Sequence, residues 1–95
     1  MKIDLSGKVA LVTGAAAGIG RATAIEFAKS GASVVVSDID SAGGSETASL
    51  INSESGNATF VECDVSQSGS VEELVSQAVK TYGRLDIAHN NAGIE

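Results

Sequence analysis

Two hydrophobic periods alternate along the chain. Short β-branched runs are separated by longer segments in which apolar residues recur every three to four positions. Lys8–Thr13 (KVALVT), Ser33–Ser37 (SVVVS), Ala58–Glu62 (ATFVE) and Leu85–His89 (LDIAH) read as strands. The first two are apolar almost throughout, the mark of parallel strands covered on both faces. A helix over about Gly18–Ser30 sets Gly20, Ala24, Phe27, Ala28 and Gly31 on one stripe, with Gly31 as its stop. The clearest helix is about Ser70–Tyr82. Val71, Leu74, Val75, Ala78, Val79 and Tyr82 form its apolar stripe, Ser70 and Glu73 have capping-box spacing, and Gly83 ends it. Between them, about Ala42–Asn52 makes a weak helix: Gly43 and Gly44 fall in its first turn, and only Ala48, Leu50 and Ile51 offer apolar contact. The order β-α-β-α-β-α-β predicts an α/β unit with a parallel sheet and right-handed crossovers. No repeat, linker or low-complexity tract interrupts it, so residues 1–95 read as one domain.

Composition narrows the function classes. With 43% apolar residues but only 3% aromatic, the core is built from Val, Ile, Leu and Ala. Twelve acidic residues against six basic give a net charge of -6, which argues against a nucleic-acid surface built on clustered Lys and Arg. No apolar run approaches the roughly 20 residues of a membrane span, and the polar start MKIDLSGK has no signal-peptide core. The single cysteine, Cys63, excludes an intrachain disulfide framework and a cysteine-rich zinc site. A reducing cytoplasm is the expected location.

The chemistry concentrates in Thr13-Gly14-Ala15-Ala16-Ala17-Gly18-Ile19-Gly20, which follows a predicted strand and opens a predicted helix. In that context a glycine cluster reads as a dinucleotide-binding turn. Gly14 permits the tight turn, Gly18 admits a pyrophosphate against bare backbone, and Gly20 lets the helix pack closely. The helix N-terminus aims its N–H groups at the phosphates. Asp38 stands 18 residues beyond Gly20 at the end of the second strand, where a carboxylate accepts the adenosine ribose hydroxyls and repels a 2′-phosphate. Its neighbours Ser37, Ile39 and Asp40 include no cation, and position 17 is Ala. NAD rather than NADP is therefore the expected cofactor, with Asp40 a rival to Asp38 for the ribose.

These residues resemble the short-chain dehydrogenase/reductase family. Thr13–Gly20 matches its T-G-x-x-x-G-x-G motif and Asn90-Asn91-Ala92-Gly93 its N-N-A-G motif. Asp64-Val65 matches its D-V pair, and Gly83-Arg84-Leu85-Asp86 resembles the segment leading into the fourth strand. The matches fall in family order over nearly the whole chain. The resemblance implies a Rossmann-type three-layer sandwich with strand order 3-2-1-4, the first half of a doubly wound fold. It also implies that Asp64 meets the adenine amino group beside the Val65 backbone. Asn90 would line the ribose side through its backbone, Ala92 and Gly93 would allow close passage of the cofactor, and Asn91 would steady the central strands. Ala17, Ile19 and Ile39 complete the expected cofactor contacts beside Gly14, Gly18, Gly20 and Asp38.

The family reaction is hydride transfer between NAD(H) and an alcohol or carbonyl carbon, assisted by a Ser, a Y-x-x-x-K pair and an Asn that all follow the N-N-A-G segment. None of these groups is found here: Tyr82, the one tyrosine, has Asp86 four residues on and lies on an apolar stripe. Tyr82 is accordingly expected to pack, His89 to be a buried hydrogen-bonded histidine, and Cys63 to serve as a small hydrophobe. The 95 residues alone are expected to be inactive, with substrate met by the C-terminal part. The alternative is a non-catalytic NAD-binding or scaffold module. The fourth strand is expected to be an exposed apolar edge, a template for self-association.

Overall fold

The computed structural model describes residues 3–64 and 68–91. Seven elements follow the expected order: β1 (Val9–Thr13), α1 (Gly18–Lys29), β2 (Ser33–Asp38), α2 (Ser41–Ser53), β3 (Asn57–Glu62), α3 (Ser68–Tyr82) and β4 (Ile87–Asn90). Among the described residues the strands form one parallel sheet in the order β3-β2-β1-β4. Leu11 pairs with Val35 on one side and Ala88 on the other, and Val36 pairs with Phe60.

The absence of polar alternation in β1 and β2 is explained by two separate cores. Ala10, Val12, Val34 and Val36 point to one face and pack with Ala24 of α1 and Ala48 and Ile51 of α2. Leu11 and Val35 point to the other and pack with Cys63 and with Leu74 and Ala78 of α3. Helices on both faces make the three-layer Rossmann-type sandwich. Each fully buried valine contributes about 1.5–3 kcal/mol of apolar burial, so the two central strands anchor the sheet.

Two helices differ from expectation in ways the packing explains. The weakness of α2 is local only. Asp40 caps it, its Oδ1 accepting from the Gly43 N–H at 3.1 Å. A Cβ on Gly44 would run into the Phe60 ring, so the glycine that lowers helix propensity lets α2 lie directly on β3. Leu50, expected inside, is 42% exposed. In α3 the six-residue stripe divides. Leu74 and Ala78 are buried, whereas Val71, Val75 and Val79 are 37%, 38% and 43% exposed, because a single sheet face cannot cover so wide an arc. The helix begins at Ser68, so Ser70 lies within its first turn rather than at its cap. His89 is half-buried rather than buried, because β4 is the edge strand among the described residues. Tyr82 packs as expected, and its hydroxyl reaches Thr59 Oγ1 at 2.9 Å and donates to Asn57 Oδ1 at 3.2 Å.

The segment before β4 fastens the start of β1. Asp86 Oδ2 accepts from the Val9 N–H at 2.9 Å, the Asp86 N–H donates to the Val9 carbonyl at 2.9 Å, and Arg84 forks onto both carboxylate oxygens at 2.8 Å. The Arg84 guanidinium, aided by the Val9 N–H, holds the Asp86 carboxyl below its ordinary value of 3.8. A depressed carboxyl stabilises the fold above its unfolded pKa, and that contribution is lost as pH falls through the lower folded value. Asp86→Asn is therefore expected to flatten the acid limb of a stability-against-pH profile below about pH 4. An unchanged acid limb in chemical denaturation would count against this role.

Candidate cofactor-binding site

Because every strand is parallel, Thr13, Asp38, the β3 end leading to Asp64, and Asn90 all arrive at one edge of the sheet. In an open parallel sheet ligands bind at this carboxyl edge, where the connections diverge to opposite faces. Here α1 and α2 leave to one face and α3 covers the other.

The turn between β1 and α1 divides its glycines between space and contact. Gly18 adopts φ +61°, and a Cβ there would meet nothing within 4 Å. Its left-handed backbone thus lies against open space that a ligand can enter. Gly20 is the reverse. A Cβ there would overlap the Gly14 carbonyl oxygen, lie 2.7 Å from the Gly14 carbonyl carbon and 3.0 Å from Asn91 Nδ2. Gly14 itself turns the chain off β1 at φ +64°. Ala17, extended at φ -163°, stands at the N-cap of α1 and offers no side-chain cap. The first N–H groups of α1 have no intrahelical acceptor, and no acidic side chain occupies its first turn. A bare helix start beside an open cradle fits a pyrophosphate.

Asp38 is tied into the same turn. Its Oδ2 accepts from the Ala16 N–H at 2.9 Å and its Oδ1 from the Asp40 N–H at 2.9 Å. Each oxygen keeps a further lone pair for an external hydroxyl. Asp40, the rival on sequence grounds, uses one carboxylate oxygen to cap α2. Ile19 and Ile39 flank the turn and the Asp38 carboxylate as exposed apolar side chains, at 73% and 62%. Asp64 follows Cys63, whose N–H donates to the Asp38 carbonyl at 3.1 Å, so Asp64 stands beside the β2 end. Burial pushes the Cys63 thiol up, with the Ser37 hydroxyl opposing, in keeping with a packing role.

The two asparagines bind the β1 end to the β4 end. The Thr13 hydroxyl donates to Asn90 Oδ1 at 2.8 Å and accepts from the Asn91 N–H at 3.0 Å. Asn91 Nδ2 donates to the Gly14 carbonyl at 3.3 Å. Val65, Ala92 and Gly93 lie outside the described residues. The sequence reading missed Arg21 and Thr47, which reach the turn from α1 and α2. No motif spacing in the sequence marks either residue.

The sequence matches the family profile described as short chain dehydrogenase over residues 8–95. The chain belongs to this family. Short chain dehydrogenase relatives include the short chain dehydrogenase/reductase astE of Aspergillus oryzae, 47% identical over 98% of this chain and 36% of that protein. The chain thus spans about a third of the length of the relatives it matches. A hydroxysteroid dehydrogenase from Escherichia coli superposes with a TM-score of 0.92 at 42% identity, covering 96% of this chain and 39% of that one. A 7α-hydroxysteroid dehydrogenase complexed with NADH and 7-oxo glycochenodeoxycholic acid superposes at 0.88 with 40% identity, covering 90% and 33%. The family is one of oxidoreductases. Among the described residues no helix is long and apolar enough to cross a membrane, and no group of metal-ligating side chains could hold an ion.

Proposed function

We propose that residues 1–95 form the NAD-binding unit of an oxidoreductase that, in the complete protein, transfers hydride between NAD(H) and an alcohol or carbonyl carbon. The observation that carries this reading is the open, positive-φ cradle at Gly18 beside the uncapped start of α1, with the Asp38 carboxylate joined to the same turn through Ala16. The NADH named in the complex of the structural neighbour supports it. The nicotinamide, when bound, would accept or donate the hydride, while the protein supplies orientation and electrostatics.

In this reading Gly14, Ala17, Gly18, Ile19 and Gly20 receive the pyrophosphate. Asp38 accepts the ribose hydroxyls, with Ile39 beside the adenosine. Asp64 and Val65 meet the adenine, and the backbone of Asn90, Ala92 and Gly93 borders the ribose and nicotinamide path. The negative Asp38 disfavours a 2′-phosphate, so NAD is preferred over NADP. The 95 residues hold no Tyr-x-x-x-Lys pair. By themselves they bind nucleotide without moving a proton to or from a substrate oxygen, a step worth about 10²–10⁴ in rate.

Calorimetric titration of the intact protein with NADH and NADPH tests the assignment. NADH is expected to bind at least about tenfold more tightly, a difference of about 1.4 kcal/mol. No NADH binding would refute the cofactor reading, and a preference for NADPH would refute the role of Asp38.

A further inference from the structure

Three side chains and one backbone carbonyl from outside the β1–α1 turn fasten its peptide groups one by one. The Ala15 N–H donates to the Ser37 carbonyl at 3.0 Å, and the Ala15 carbonyl accepts from the Thr47 hydroxyl at 2.7 Å. The Ala16 N–H donates to Asp38 Oδ2 at 2.9 Å, and the Ala16 carbonyl accepts from Arg21 Nη2 at 2.6 Å. Arg21 also donates from Nε to Thr47 Oγ1 at 2.8 Å and pairs with Glu46 at 2.8 Å. Thr47 is fully buried. Its single hydroxyl hydrogen has two carbonyls in reach, and that of Ala15 at 2.7 Å is nearer than that of Gly43 at 3.2 Å. Its oxygen takes the Arg21 Nε–H, which orients the hydroxyl toward the turn.

A trans peptide is planar, and its C=O and N–H point in opposite directions. Holding the Ala15 carbonyl on Thr47 therefore aims the Ala16 N–H at Asp38. Holding the Ala16 carbonyl on Arg21 turns the Ala17 N–H away from Arg21, at the N-cap of α1. We propose that Thr47 and Arg21 are positioning residues for the nucleotide: Thr47 sets the Asp38 carboxylate through the Ala15–Ala16 peptide, and Arg21 sets the Ala17 N–H through the Ala16–Ala17 peptide. This rests on the assignment of Asp38 to the ribose and of the turn to the pyrophosphate. It makes the two residues separable, because the ribose end distinguishes NADH from NADPH whereas the pyrophosphate is common to both.

The test titrates NADH and NADPH into the intact protein and its Thr47→Val, Thr47→Ser and Arg21→Lys variants. Thr47→Val is expected to raise the NADH Kd about tenfold and to lower the NADPH-to-NADH Kd ratio, the scale of one to two hydrogen bonds. Thr47→Ser keeps the hydroxyl and is expected to restore both within about twofold. Lysine at 21 cannot hold Ala16 and Thr47 together, so Arg21→Lys is expected to raise both Kd values by about threefold or more, with a smaller fall in the NADPH-to-NADH ratio than Thr47→Val gives, because the Thr47 hydroxyl itself remains. A merely structural contact would move melting temperature without this division. Wild-type affinities in Thr47→Val and Arg21→Lys, or a Thr47→Ser as impaired as Thr47→Val, would overturn the proposal. If Thr47→Val does not fold, Arg21→Lys decides alone, wild-type Kd values overturning it. If the wild-type protein binds no NADH, the cofactor reading fails and this inference with it. If it binds and the variants match it, only this inference fails.

Discussion

Alanine at position 20 is expected to cost the protein about 2 kcal/mol net and to weaken NADH at least about tenfold. Two effects oppose each other. Helix propensity favours alanine over glycine by about 1 kcal/mol. Against this, the new methyl group would overlap the Gly14 carbonyl and crowd Asn91 Nδ2. Overpacking against a side chain can be relieved by a rotamer change, but overlap with backbone cannot. The Gly14 carbonyl is held by Asn91, and the next N–H is held by the Ser37 carbonyl. The start of α1 must lift instead, at a cost of about 3 kcal/mol, the upper part of the usual overpacking range. The overlap wins, and the displaced helix start would no longer face the place proposed for the phosphates.

Gly18→Ala is the matched control. A Cβ there meets nothing, so the fold bears only the left-handed strain of about 1–2 kcal/mol. Its damage is expected in binding, because the methyl group would enter the open space proposed for the pyrophosphate. Chemical denaturation and NADH titration of both variants check the pair. A Gly20→Ala protein as stable as wild type would show that α1 is not seated on Gly14.

How much could be read from the chain depended on the range of the interaction involved. The strands, α1, the glycine turn and the place of Asp38 at the end of β2 were legible, because periodicity and motif spacing are local and β1 and β2 carry no polar interruption. The strength of α2 was not: Gly44 counts against a helix until Phe60 is seen beneath it. The α3 stripe was read too wide, because the sequence does not say how much of a helix one sheet face covers, and Val71, Val75 and Val79 stay exposed. Arg21 and Thr47 were invisible for a related reason. Their bonds join α1, α2 and the turn across the packed layer, and no motif spacing encodes such a contact.

Asp38→Ala is expected to raise the NADH Kd by about tenfold to a hundredfold while leaving NADPH much less affected. A hydrogen bond to a charged acceptor is worth about 1.5–3 kcal/mol, and the ribose offers two hydroxyls to one carboxylate. For NADPH the same carboxylate faces a phosphate, and removing it relieves repulsion between like charges. The loss has a second source, since Asp38 also holds the Ala16 and Asp40 N–H groups. Asp38→Asn separates the two. The amide oxygen can still accept from one of these N–H groups while the negative charge is gone. If discrimination is electrostatic, Asn should relax the NADH preference nearly as far as Ala with a smaller loss of NADH affinity. If Asp38 acts only by shaping the turn, Asn should leave the NADPH-to-NADH Kd ratio unchanged, with any loss of affinity common to both nucleotides. Titrating both variants with both cofactors decides, and an unchanged Kd ratio in Asp38→Ala would remove Asp38 from the ribose site. That outcome would also redirect the role of Thr47, whose effect on nucleotide choice is argued to pass through the Asp38 carboxylate.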